Sequence, residues 1–103
     1  MADEPVYMLN ALWFKADGGA EKYQQYLDGA LPVVSRLGGE MVSQFRPIET
    51  LQGDFAPDLT FVIRYPSIEA FRALGTDAEY RAIAHLRGEA IERAVLTRCE
   101  AVD

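Results

Sequence analysis

The sequence has little with which to build a metal centre or a covalent staple. Among its 103 residues one is cysteine, Cys99, and one is histidine, His85. A single thiol excludes an intrachain disulfide and a multi-thiolate site within one chain. A single imidazole excludes a two-histidine or zinc-finger arrangement within one subunit. No metal and no cofactor is expected. Phosphate-binding glycine patterns are missing as well, since Gly18-Gly19 and Gly38-Gly39 have neither the spacing nor the context. Basic residues are the minority, 10 Lys and Arg against 16 Asp and Glu, for a net charge of −6. Because the acidity is dispersed, and nucleic acids and anionic membranes are bound through clustered cations, neither is an expected partner. The longest apolar runs, such as Val6 to Leu9 and Leu31 to Val34, are far shorter than the ~20 residues of a membrane span. The opening Met1-Ala2-Asp3-Glu4-Pro5 is acidic where a secretory leader is basic and then apolar. Together these features lead us to expect a cytoplasmic protein.

What is present is the balance of an ordinary folded domain, 50% apolar and 25% charged. A chain of this length supports one core. Residues 6–14 are apolar on both alternating faces except at Asn10, which suits a strand covered on both sides. After the break at Asp17-Gly18-Gly19, apolar residues recur at three- and four-residue steps from Tyr23 through Tyr26, Leu27, Ala30, Leu31 and Val34 to Leu37, one side of a helix. Pro32 lies inside it and predicts a bend near Gly29 or a restart. Gly38-Gly39 ends it. Residues 40–51 read as a second strand interrupted by Pro47, an edge or bulged strand. Leu59 to Tyr65 alternates cleanly as a third. A short helix capped by Ser67 runs to Gly75. Thr76 to Glu79 reads as a capping box, with Thr76 at the cap, opening a helix to about Arg93. The last strand is expected over Val95 to Val102.

The order β, α, β, β, α, β predicts an α+β, ferredoxin-like fold: a four-stranded antiparallel sheet with its helices on one face. The first strand, with Val62 of the third, then offers apolar side chains to the helix-free face as well. Exposing them costs ~25 cal/mol per Å², so a homodimer packed sheet to sheet is expected. The segments Tyr23-Gln24-Gln25-Tyr26, Leu37-Gly38-Gly39, Glu49-Thr50-Leu51-Gln52-Gly53, Tyr65-Pro66-Ser67-Ile68-Glu69-Ala70 and Glu79-Tyr80 through Arg87 resemble the signature of the bacterial family catalogued as domain of unknown function 1330. That family belongs to the dimeric α/β-barrel superfamily. The resemblance spans Val6 to Val102 and implies the fold, the dimer, and a cavity between sheet and helices or inside the barrel. It implies no reaction.

Six residues are candidates for a site. Arg87 falls within the apolar stripe of its helix, set by Tyr80, Ile83, Ala84 and Ile91, and an inward guanidinium needs a partner. It either anchors a carboxylate or enolate, with Tyr80 as hydrogen-bond donor or acid, or pairs with a carboxylate such as Glu49 or with backbone carbonyls. Asn10, the one polar side chain of a two-sided strand, either bridges to backbone or water or orients a ligand. Tyr26, like Tyr23, faces the sheet as an aromatic whose hydroxyl can reach the rim. His85 lies off the stripe, toward solvent, although a histidine can act as general base near neutrality. Trp13 is a packing residue that could stack on a ligand, and Cys99 reads as a small core residue.

Two functions follow, distinguished by whether the interior is open. One is a cofactor-free enzyme acting on a small carbonyl, aromatic or lactone-like metabolite, for which the superfamily supplies the reaction types of isomerisation, cyclisation and oxygenation by analogy. The other is a non-catalytic metabolite-binding or assembly module. The expected ligand is small and anionic or aromatic. A haem-degrading enzyme is a third reading, suggested by Asn10 alone. Ala84 or Ile83 stands where that resemblance would require histidine, and Leu74 where it would require tryptophan.

Overall fold

A computed structural model describes residues 4–102, so Met1, Ala2 and Asp3 of the acidic amino-terminal segment lie outside the described residues, as does Asp103. In chain order the elements are β1 (Val6–Phe14), α1 (Gly19–Arg36), β2 (Glu40–Phe45), β3 (Leu59–Tyr65), α2 (Ile68–Thr76), α3 (Ala78–Ala90) and β4 (Ile91–Cys99). The sheet runs β2-β3-β1-β4 with every neighbouring pair antiparallel, the ferredoxin-like order.

Pairing of Met8 with Ile63, Asn10 with Phe61 and Leu12 with Leu59 puts these side chains on one face. There they join Tyr23, Tyr26, Leu27, Ala30, Val33 and Val34 of α1 and Leu74 of α2 in a single core. Leu12 is fully buried. The opposite face carries Tyr7, Leu9, Ala11 and Trp13 of β1 beside Thr60, Val62 and Arg64 of β3, and no helix formed by the described residues covers it. None of the helices formed by the described residues is long and apolar enough to cross a membrane.

Four local expectations need correction. Helix α1 continues through Pro32 as one element of 18 residues and does not restart there. Pro32 and Asp28 both lie on its solvent side, where the Asp28 carbonyl that loses its donor can turn to water. The cap of α3 is Asp77, not Thr76, which closes α2. The Asp77 carboxylate accepts the amides of Glu79 at 2.9 Å and Tyr80 at 3.2 Å, and Arg36 of α1 donates to it at 2.8 Å. One side chain thus satisfies two orphan amides and ties two helices. Strand β2 ends at Phe45, and Ile48 and Leu51, expected within it, stand almost wholly exposed in the segment leading to β3. Strand β4 begins at Ile91 directly after Ala90, because pairing with Phe14, Trp13 and Leu12 of β1 captures residues 91–94, of which 91–93 are expected in the helix.

Candidate ligand-binding cavity

Between the helical layer and the sheet lies a cavity of about 280 Å³. Its sheet wall is Met8 and Asn10 of β1, Phe61, Ile63 and Tyr65 of β3 and Leu96 of β4. The helical wall is Tyr23, Tyr26, Leu27, Ala30 and Leu31 of α1, Phe71, Arg72 and Leu74 of α2, and Tyr80 and Arg87 of α3. The three-and-four spacing of α1 turns Tyr23 and Tyr26 toward the sheet, and both are buried.

Polar groups are few. The Tyr26 and Tyr80 hydroxyls are 2.7 Å apart, so one donates to the other and the acceptor's own proton is left for a further partner. Burial holds the Tyr26 phenol far above its ordinary range, and the hydrogen bond to Tyr80 adds to the shift while the Arg87 charge opposes it. Burial likewise raises Tyr23, again against the field of Arg87, and pushes Tyr65 up to about 12. Phenols so placed are donors at neutral pH, not bases. Asn10 is 7% exposed and donates through Nδ2 to the Met8 carbonyl at 3.1 Å, which leaves its Oδ1 as an acceptor. Arg87 is half-buried and makes no ion pair among the described residues. Glu49, the carboxylate considered for it, lies exposed between β2 and β3.

Of the six candidates, Asn10, Tyr26, Tyr80 and Arg87 therefore meet at one cavity. The other two do not join them. His85 is exposed on α3. Trp13 lies on the helix-free face, where Arg93 sits 4.3 Å over its ring and Phe55 packs edge-on at 5.6 Å. Sequence reasoning missed Arg72 and Leu96. Arg72 stands four residues after Ile68, on the same side of α2, which was a usable signal. Leu96 reaches the cavity because it pairs with Asn10, a fact of strand register that periodicity does not contain.

Fold and cavity define a ferredoxin-like α+β protein with a largely apolar cavity, open to solvent on one side, between sheet and helices. A family model described as "domain of unknown function (DUF1330)" matches residues 6–98, and the chain belongs to that family. A protein of unknown function from Rhodopseudomonas palustris, RPA0582, shares 31% identity with it over 99% of this chain and 85% of its own, with a TM-score of 0.90. A dimeric ferredoxin-like protein of unknown function from Jannaschia matches at 11% identity and a TM-score of 0.73, covering 94% of this chain and 99% of that one. A putative antibiotic biosynthesis monooxygenase from Caulobacter crescentus matches at 16% identity and 0.68, covering 98% and 92%. These last two likenesses concern the fold alone. No match to this chain was found among curated proteins.

Proposed function

We propose that the chain binds a small organic molecule between its sheet and its helices. The carrying observation is a half-buried guanidinium, Arg87, that lines an apolar cavity without an ion-pair partner among the described residues. A charge in such surroundings calls for a counter-ion. At about 280 Å³ the cavity is close to the ~300 Å³ lower bound for ligand pockets. A cofactor-free reaction on a carbonyl, aromatic or lactone-like compound would draw on Arg87 and the tyrosine pair to stabilise developing negative charge. The non-catalytic reading is favoured by a specific fact. Among the described residues the lining contains no Asp, Glu, His, Lys or Cys, and so no group suited to take a proton near neutrality. Calorimetry with indole, a neutral one-ring probe, tests the reading. Saturable binding that Ala30→Leu abolishes, with circular dichroism unchanged, supports it. Absence of saturation by indole and by small aromatic acids alike, with the folded protein, refutes it.

Two copies pair through the helix-free face in this reading, in the cytoplasm and without nucleic acid or membrane. Leu9 and Phe45 are 41% and 64% exposed there, and Trp13 and Phe55 continue the apolar surface. The Jannaschia protein of like fold is described as dimeric. Sedimentation at twice the 11.5 kDa chain mass supports the pairing, and a stable 11.5 kDa species contradicts it.

A further inference from the structure

The chemistry of the cavity wall narrows its occupant. This step rests on the binding role proposed above. Both charged side chains in the lining, Arg87 and the exposed Arg72, are positive, in a protein whose net charge is −6. A guanidinium offers donors and no acceptor. The Tyr26–Tyr80 pair, whichever way it is oriented, leaves one hydroxyl proton for a third group. Both guanidiniums and this hydroxyl proton lie on the helical wall, an arrangement that suits a carboxylate. Across from it, Asn10 on β1 gives one N–H to the Met8 carbonyl and leaves its Oδ1 as an acceptor that calls for a hydroxyl or N–H. The rest of the two walls is largely apolar, with Phe61, Ile63 and Leu96 on the sheet and Leu74 on α2, which favours a flat apolar body. Space is limited: about 280 Å³ equals roughly nine water-sized volumes of ~30 Å³, enough for one ring with two small substituents.

We infer that the cavity takes a one-ring aromatic acid with a hydroxyl on the ring position remote from its carboxylate. The carboxylate faces Arg87 and the free tyrosine hydroxyl, and the ring hydroxyl donates to Asn10 Oδ1. Remote placement follows because both guanidiniums lie on the helical wall and Asn10 Oδ1 lies on the sheet.

Titration calorimetry on the full chain with 4-hydroxybenzoate, 4-hydroxybenzamide, benzoate and indole tests this. The acid is expected to bind at least about tenfold more tightly than its neutral amide, the loss of one charge-assisted contact. Arg87→Met should erase that preference, and Arg87→Lys should restore part of it in a variant that keeps the charge. The advantage of 4-hydroxybenzoate over benzoate should vanish in Asn10→Ala. Equal binding of acid and amide overturns the inference, as does a preference that survives in Arg87→Met. Saturable indole binding with no acid bound refutes the ligand class and leaves the cavity reading intact. Failure of all four compounds to bind the folded protein refutes both.

Discussion

The hydroxyl pair of Tyr26 and Tyr80 permits the sharpest energetic test of the cavity wall. Tyr26 is 7% exposed and its hydroxyl lies 2.7 Å from that of Tyr80. Tyr80→Phe leaves the Tyr26 hydroxyl without its partner, which for a buried polar group costs about 1–3 kcal/mol. The adjacent cavity is roomy enough to admit a water, so the loss should fall near the lower end, about 1 kcal/mol. Tyr26→Phe strands a half-buried hydroxyl that can turn toward the cavity, and should cost less. The double variant leaves neither hydroxyl orphaned and should be more stable than the sum of the single losses, with a coupling energy of about 1 kcal/mol. For a domain of this size about 1 kcal/mol moves Tm by roughly 4–8 °C. Urea unfolding of the four proteins, with an unchanged slope, measures the cycle. Additive losses would refute an interacting pair.

Four other outcomes are expected. A Cβ at Gly39 would lie 2.6 Å from Val34 Cγ1 and 3.0 Å from Tyr65 Cε2, both buried residues, so Gly39→Ala should lose about 1–3 kcal/mol in urea unfolding. A Cβ at Gly88 in α3 meets nothing within 4 Å, and Gly88→Ala should gain about 0.4–1 kcal/mol in the same assay. Tyr23, Tyr26 and Tyr65 have raised folded-state values, so their contribution to stability is complete below the unfolded phenol range. It is lost as pH climbs from ~10 toward their folded values, and at pH ~11 the folded protein should show less tyrosinate absorbance than the chain in guanidinium. Asp77 is depressed, first by its bond from Arg36 and also by the α3 amides, so its contribution is complete above the ordinary carboxylate range and is lost as pH falls through the lowered value. Asp77→Asn keeps a capping side chain and removes the charge, and should flatten the acid limb of the stability profile.

The fold was legible where one periodicity ran without competition. Strands β1 and β3 and the buried stripe of α1 carry clean patterns, and their pairing follows from the order of elements. Boundaries decided by tertiary contacts were not legible. Ile91 reads equally well as the last turn of a helix or the first residue of a strand, and only the unpaired edge of β1 decides between them. Ile48 and Leu51 look like strand residues by composition, yet they stand exposed where β2 has already ended. Asp77 outcompetes Thr76 as a cap because a carboxylate can take two amides and an arginine together. Within the site, the helix stripe pointed to Tyr80 and Arg87, and the lone polar residue of β1 pointed to Asn10. Leu96 awaited the register of β4, whereas strand alternation already sets Trp13, three residues after Asn10, on the opposite face.

The most direct measurement is a crystal structure of the protein soaked with indole. Ring density bounded by Tyr26, Phe61, Leu74 and Leu96, beneath Arg87, is the result expected of a ligand chamber. An interior closed by those same side chains, with Arg87 turned outward onto a surface carboxylate, would contradict it.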